Sequence, residues 1–241
     1  LGLGTERVEE EIKRIFPLSK TLRMDADTTA TKGSHSKIIE KFSSGNYNIL
    51  VGTQMISKGL NFPCVTLVGV INADSSLNIP NYRSSEVTFS LLDQVIGRSG
   101  RDKMEGCAIV QTFNPEHYSI LCAKNHDYKT FYEKEMKVRK NLNYPPYCFL
   151  TLIKISSKDF KYGIEEAKKI SQFLKRNLSF NTNILGPSIA NVLRVNNTYN
   201  FQVILKYKKD EKLYTALNEM LKIYEGNNKI KVELDFNPVN F

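Results

Sequence analysis

Residues 47–63 read YNILVGTQMISKGLNFP, and the pattern of this stretch indicates an α/β layer. Residues 49–51 form a short apolar run, typical of a strand covered on both faces of a parallel sheet. Thr53 follows the run directly, where open α/β sheets carry their ligand sites, and Gly59 lets the backbone approach a ligand closely. The stretch therefore predicts either a phosphate-binding loop or a plain tight connection from strand to helix.

Strand and helix signals alternate on both sides of this stretch. Apolar spacing predicts helices over 8–16, 34–43 and 86–96 and over most of 115–142. Apolar runs predict strands at 21–24, 49–51, 65–71 and 108–113. Such alternation is typical of an α/β fold with a largely parallel sheet and right-handed crossovers.

Two consecutive prolines in Tyr144-Pro145-Pro146-Tyr147 cannot continue a helix and predict a domain boundary. The first domain is then 1–144 and the second 145–241. In the second, strands are predicted at 149–155, 184–193, 201–207 and 230–236, and helices at 162–178 and 213–224. This order predicts a smaller α+β domain with a mainly antiparallel sheet.

The composition favours a polyanion partner and argues against a membrane span. The chain has 241 residues and a net charge of +9. Residues 145–241 hold 15 basic and 9 acidic residues (15 − 9 = +6), which suits nucleic acid, although a surplus for solubility explains it nearly as well. No apolar run approaches the roughly 20 residues that span a bilayer, and no signal peptide is recognised.

The cysteines and the first residue set two further expectations. The four cysteines are widely spaced, which predicts no zinc or other metal site here and fits separate thiols in a reducing cytoplasm. The chain begins with Leu1 and enters structured sequence at once, so we expect a fragment of a longer protein.

Residues 94–101 read QVIGRSGR and carry the chemistry. Arg98 and Arg101 are three residues apart, so on one helical turn they project to the same side. A guanidinium matches phosphate oxygens and serves phosphoryl-transfer enzymes as a finger on the γ-phosphate. The alternative is pairing with Asp93, Asp102 or Glu105, or exposure to solvent. Together with the Thr53 loop upstream, the pair favours a polyphosphate site.

At this point the chain resembles the second RecA-like lobe of superfamily 2 helicases, whose motifs V and VI match residues 50–63 and 94–101. More narrowly, it is similar to the C-terminal part of the primosomal protein N′ family of replication-restart helicases. The stretches that carry this resemblance are residues 4–7, 24–29, 32–35, 50–63, 94–101, 111–117, 144–147 and 235–238.

The resemblance implies roles for individual residues of the helicase lobe. Arg101 would contact the γ-phosphate, with Arg98 beside it and Gln94 sensing or positioning the nucleotide. The nucleotide edge would be lined by Gly59 and Asn61, and DNA would be contacted or coupled to ATP through Thr53 and Gln54. Asn61 departs from the aspartate common in the family, because an amide lacks the charged acceptor for a ribose hydroxyl.

It also implies cofactors and partners. The family couples ATP hydrolysis to 3′-to-5′ unwinding of DNA at stalled forks and recruits primosome and helicase-loader proteins. ATP and Mg²⁺ would be bound mainly by a first lobe, and zinc by a module, that this sequence does not contain. No G-x-x-x-x-G-K-[ST] occurs here, so we expect no ATP hydrolysis by this chain alone. No membrane partner is implied.

A predicted hairpin in the second domain suits nucleic acid. Arg194, Asn196, Asn197, Tyr199 and Gln202 combine basic, amide and aromatic groups for phosphate contacts and base stacking. The family links this domain to DNA and to the single-stranded DNA-binding protein, but relatives carry more arginine here, and a simple turn fits equally well.

Two alternative functions stay open. One is a non-catalytic scaffold that binds DNA or a protein partner. The other is a different superfamily 2 DNA translocase, against which the domain after Pro146 argues.

Overall fold

The structure is a computed structural model that describes residues 4–56, 62, 65–97 and 106–239. The chain divides into two compact units. Unit 1 comprises Leu1–Ile79 and Ser84–Phe131, and unit 2 comprises Pro80–Arg83 and Tyr132–Phe241. The domain boundary predicted at the proline pair stays a prediction.

Unit 1 alternates helices and strands as its sequence predicts, with an extra short helix and a break in a longer one. In chain order its elements are α1 (Thr5–Ile15), β1 (Thr21–Met24), α2 (Ser34–Ser43), β2 (Ile49–Gly52), a 3₁₀ turn (Gln54–Ile56), β3 (Leu67–Val70), α3 (Asp74–Leu77), α4 (Ser84–Ile96), β4 (Cys107–Val110) and α5 (Tyr118–Lys124). The next helix, α6 (Tyr128–Asn141), begins in unit 1 and continues into unit 2.

The strands of unit 1 form two parallel pairs. β1 pairs with β2 from Thr21 opposite Ile49, and β3 pairs with β4 from Leu67 opposite Cys107. Over the described residues these are separate two-stranded sheets, so the predicted largely parallel sheet is met only in the direction of its pairs. Parallel pairing puts the carboxyl ends of both partners at the same edge.

Coverage of the second pair differs from the expectation for a buried parallel strand. Leu67 of β3 and Ile109 of β4 are each 59% exposed, because alternate side chains of a two-stranded sheet point to opposite faces and one face here stays open within the described part of the chain. The core lies instead around Phe89 and Leu92 of α4, where the Phe89 ring stacks on Phe131 at 4.2 Å.

The helix predicted over most of 115–142 is broken into α5 and α6. His126 has a positive φ of 51°, a left-handed conformation that a helix cannot contain. Asp127 then restarts the chain, since its carboxylate accepts a hydrogen bond from the Thr130 amide at 3.0 Å. A polar Asn-His-Asp sequence at the break is the signal for it.

Unit 2 is an α+β fold around one antiparallel sheet, as its sequence predicts. Its further elements are β5 (Phe149–Ser157), α7 (Phe160–Asn177), β6 (Asn183–Val195), β7 (Thr198–Tyr207), α8 (Leu213–Tyr224) and β8 (Ile230–Phe236). The strand order is β6-β7-β5-β8, with every neighbouring pair antiparallel.

Both faces of the central strand β5 are buried, by different partners. Ile153 and Ile155 join a core with Ile170 and Leu174 of α7 and residues of α8. Leu150 and Leu152 belong to a second cluster with Cys148 and Ile204, against which Tyr82 and Tyr144 pack. The second face of this sheet is therefore covered by aromatic side chains from outside the sheet.

Candidate nucleotide and nucleic-acid sites

Thr53 lies at the carboxyl end of β2, where the sequence predicts a ligand-contacting residue. Both Thr53 and Gln54 are exposed, and the Ile56 amide donates a hydrogen bond to the Thr53 carbonyl at 3.1 Å, which closes the 3₁₀ turn. Gly52 makes this tight turn possible: a Cβ there would overlap the Met24 carbonyl oxygen and the Ile56 side chain. The turn thus presents the Thr53 hydroxyl and the Gln54 amide to solvent.

The neighbouring strand β1 ends in a buried carboxylate. Asp25 accepts hydrogen bonds from Thr5 Oγ1 at 2.5 Å and from the Thr28 amide at 2.9 Å, and Arg23 Nε lies 3.0 Å from its Oδ2. Burial raises the pKa of this carboxyl, but the hydrogen bonds from Thr5 and Thr28 and the charge of Arg23 outweigh it and hold the pKa below its ordinary value. Asp25 is therefore ionised and fixes the loop after β1.

A second buried carboxylate, Asp74, connects the loops after β3 and β4. It accepts hydrogen bonds from the Phe113 amide at 2.8 Å, Asn114 Nδ2 at 2.8 Å and Thr112 Oγ1 at 3.1 Å. Burial raises the pKa of Asp74, and these donors more than reverse the effect, so the pKa lies below its ordinary value. All three donors follow β4, so the carboxylate determines where that loop lies.

Gln94 lies near the end of α4 with its side chain exposed. On the same helix, Asp93 Oδ1 lies 2.7 Å from His126 Nδ1, so this acidic residue has a partner other than the arginines considered from the sequence. The four residues predicted to contact the nucleotide most directly, Arg98, Arg101, Gly59 and Asn61, lie outside the described residues.

The predicted hairpin in unit 2 is formed by β6 and β7. Val195 pairs with Thr198, and Asn196 and Asn197 make the two-residue turn with φ values of 46° and 61°. A turn with two positive φ angles matches the twist of the strands and suits asparagine. Arg194 lies opposite Tyr199, its Cζ 5.2 Å from the ring centroid, and its Nη2 donates a hydrogen bond to Asn197 Oδ1 at 2.8 Å.

The hairpin tip is thus an ordered group of an arginine, an aromatic ring and two amides. Arg194, Asn196 and Asn197 are exposed, and Tyr199 is half-buried because Phe160 packs edge-on against its ring at 5.5 Å. The cation–π contact between Arg194 and Tyr199 is not visible in the sequence, because it depends on their cross-strand register. A positive charge fixed beside a ring offers both phosphate contact and stacking.

The sequence pattern did not identify Asp25 or Asp74. Each follows or closely follows the end of a strand, in residues 24–29 and 72–76, and an acidic residue at that position was the available signal. His117, which the sequence interpretation placed at the start of a helix as a structural residue, caps α5 by accepting a hydrogen bond from the Ser119 amide at 3.2 Å.

Over the described ranges, no group of three or more His, Cys, Asp or Glu side chains converges as metal ligands. None of the helices that the structure describes is both long and apolar enough to cross a lipid bilayer.

Comparison with known proteins places both units in one family context. Residues 5–103 match the helicase conserved C-terminal domain, and residues 140–239 match the primosomal protein N C-terminal domain. Replication restart protein PriA of Bacillus subtilis is 45% identical over 240 residues, which cover 98% of this chain and 30% of that protein.

More distant bacteria give the same result. Replication restart protein PriA of Chlamydia muridarum is 35% identical over 99% of this chain and 32% of its own length. The protein of the same name from Synechocystis is 37% identical over 97% of this chain and 28% of its own length. The chain therefore spans about a third of the length of these curated relatives and corresponds to their C-terminal part.

Proposed function

We propose, from the premise that this chain belongs to the replication restart protein PriA family, that it supplies the second motor lobe and the C-terminal domain of an ATP-dependent 3′-to-5′ DNA helicase. The whole protein would recognise stalled or abandoned replication forks in the cytoplasm and restart replication by assembling a primosome. The observation that carries the proposal is the match to both domains in their order along one chain.

The geometry of unit 1 supports a nucleotide and DNA role at the carboxyl ends of its strands. Thr53 and Gln54 are exposed directly after β2, and the buried carboxylates Asp25 and Asp74 hold the loops after β1, β3 and β4. Open α/β sheets bind ligands at this edge. Gln94 is exposed on the helix that leads into the two arginines.

In this proposal each group has a stated task. Bound ATP with Mg²⁺ supplies the phosphoryl group whose transfer to water drives movement on DNA. Arg101 and Arg98 stabilise the charge that develops on the γ-phosphate, and Gln94 positions the nucleotide. Gly59 and Asn61 line the nucleotide edge, whereas Thr53 and Gln54 contact DNA. The Thr53 and Gln54 side chains fit a polar ligand, since both face solvent beside backbone amides.

The hairpin tip adds a second DNA contact in unit 2. Arg194 would bind a phosphate, Asn196 would donate to the backbone or a base, and Tyr199 would stack on an unpaired base. Single-stranded DNA-binding protein and the primosome and helicase-loader proteins are the protein partners that this role requires.

The test uses the full-length protein with Arg101→Ala and Arg101→Lys. We expect Arg101→Ala to lower DNA-stimulated ATP hydrolysis by about 10³-fold or more, as for other arginine fingers, with fork binding nearly unchanged. Arg101→Lys should recover little, because an ammonium cannot reproduce the two-pronged contact. Arg176→Ala, an exposed position of α7, is the charge-matched control. Near-normal turnover in Arg101→Ala would refute the finger assignment. A wild-type protein that binds forks without DNA-stimulated turnover would favour the scaffold function.

A further inference from the structure

Tyr82 and Tyr144 form the centre of a layered cluster in unit 2. Their rings lie 5.4 Å apart and within 9° of parallel. Each ring also has a cation over it: Arg139 Cζ lies 5.2 Å from the centroid of Tyr82, and Lys206 Nζ lies 3.6 Å from the centroid of Tyr144. We call these four side chains the tyrosine stack.

Both cations of the tyrosine stack are buried and have oxygen partners. Arg139 Nε donates to Glu135 Oε1 at 2.6 Å, and its Nη1 donates to the Pro145 carbonyl at 3.3 Å. Lys206 Nζ donates to the Leu142 carbonyl at 2.8 Å. A buried charge is stable only when it is paired or hydrogen-bonded, so these contacts leave each cation one position. The two rings between them are thereby held in place.

Tyr82 differs from the rest of the tyrosine stack in its place along the chain. It lies in Pro80–Arg83, which follows α3 and precedes α4 in sequence but belongs to unit 2. Its neighbours are fixed as well: Asn81 Nδ2 donates to the Val239 carbonyl at 2.9 Å, and the Arg83 amide donates to Asn81 Oδ1 at 2.9 Å. Tyr82 also packs against the cluster of Cys148, Leu150, Leu152 and Ile204.

The residue after this segment, Ser84, is the first residue of α4. Its Oγ donates to the Ile79 carbonyl at 2.5 Å, and Thr88 Oγ1 donates to the Ser84 carbonyl at 2.8 Å, so the first turn is tied down on both sides. A helix of 13 residues is about 20 Å long and is stiff over that length. Its far end carries Gln94, and Arg98 and Arg101 follow in sequence.

We propose that Tyr82 is a positioning residue for ATP turnover: held on Tyr144, it sets where α4 begins and so orients the segment with Gln94 and the two arginines. This inference rests on the function proposed above. Placement errors of about 1 Å at a reacting group lower rates by about 10²-fold, so a loosened start of α4 affects turnover. A ring that served packing alone would change the stability of the protein without changing the kcat of its folded form.

The test measures DNA-stimulated ATP hydrolysis by the full-length protein carrying Tyr82→Ala, Tyr82→Leu or Tyr82→Phe. We expect Tyr82→Ala and Tyr82→Leu to lower kcat by about tenfold or more, with KM for ATP and fork affinity within about twofold of wild type. Leu keeps apolar contact with the cluster but cannot stack, and it serves if Tyr82→Ala does not fold. Tyr82→Phe should restore kcat, because the ring and not the hydroxyl makes the stack.

Two further variants make the result specific. Tyr144→Ala should lower kcat to the same extent as Tyr82→Ala, and the double variant should fall no further, since both remove one interaction. Tyr214→Ala removes an exposed ring that tilts on Phe236 at 5.9 Å and should retain wild-type kcat. Wild-type kcat in Tyr82→Leu, or no recovery in Tyr82→Phe, would overturn the positioning role while leaving the proposed function intact. A wild-type protein without DNA-stimulated turnover would remove the proposed function itself, and this inference with it.

Discussion

Asp74 Oδ2 accepts a hydrogen bond of 2.8 Å from the backbone amide of Phe113, a residue 39 positions further along the chain. This contact joins the ends of the parallel strands β3 and β4 on the side where ligands of open α/β sheets bind. Two more donors, from Thr112 and Asn114, complete the shell of the carboxylate. The loop that follows β4 is therefore held by charge-assisted hydrogen bonds and not by apolar packing alone.

Replacing this carboxylate should destabilise unit 1. We expect Asp74→Asn to lower the free energy of unfolding by roughly 1.5–3 kcal/mol, because its amide group cannot accept from all three donors and the charge is lost. Urea unfolding of the wild-type and variant chains measures the change. Asp27→Asn is the matched control, since Asp27 is exposed, and should shift stability by less than about 0.5 kcal/mol. Equal stability of Asp74→Asn and wild type would mean that the loop does not depend on this carboxylate.

The same carboxylate predicts how stability depends on pH. The pKa of Asp74 is lowered in the folded chain relative to its ordinary value of 3.8, so the unfolded chain binds more protons in that range. Its contribution to stability is fully present above about pH 3.8 and is lost as pH falls through the lowered folded pKa. Unfolding followed from about pH 6 to about pH 2 should show a shallower acid branch for Asp74→Asn than for wild type. Parallel branches would contradict this assignment.

Gly52 should not tolerate a side chain, whereas Gly69 should. A Cβ at Gly52 would overlap the backbone carbonyl oxygen of Met24, which cannot move without disturbing β1, while a Cβ at Gly69 would meet nothing within 4 Å. We expect Gly52→Ala to cost about 1–3 kcal/mol of stability and to displace the Thr53 turn. Gly69→Ala should be neutral or slightly stabilising, by up to about 1 kcal/mol. Thermal unfolding of both variants makes the comparison, and a larger loss in Gly69→Ala would reverse the prediction.

The hairpin tip should bind single-stranded DNA through a charge and a ring. We expect Arg194→Ala to weaken binding and to reduce the slope of log K against log salt by about one unit, as expected for one lost phosphate contact. Tyr199→Ala should cost about 1–3 kcal/mol of binding free energy, and Tyr199→Phe much less, because stacking needs only the ring. A fluorescent oligonucleotide titrated at two salt concentrations gives both quantities.

The control for the hairpin is Arg176→Ala, which removes the same charge from an exposed position of α7. It should leave the affinity nearly unchanged. If Arg176→Ala and Arg194→Ala weaken binding equally, net charge and not the hairpin explains the affinity.

Much of the local structure followed from the sequence because periodicity is a local property. The strand at 21–24 and the helices at 34–43 and 213–224 are confirmed with the same bounds, since apolar spacing and flanking Gly or polar residues mark them directly. The hairpin is confirmed as well, because two asparagines between alternating segments favour a two-residue turn. The break at Asn125–Asp127 was missed, because the helical pattern continues on both sides of it.

The sequence by itself determined the family, the α/β and α+β character of the two units, and the identity of the arginine-bearing stretch, because each depends on residue order along the chain. Tertiary structure decided which distant residues meet. It showed that Asp74 receives its donors from residues 112–114, that Arg194 lies over Tyr199, and that Tyr82 stacks on Tyr144 within unit 2. Such contacts depend on register and on how the chain returns to itself, which no local pattern of polarity encodes.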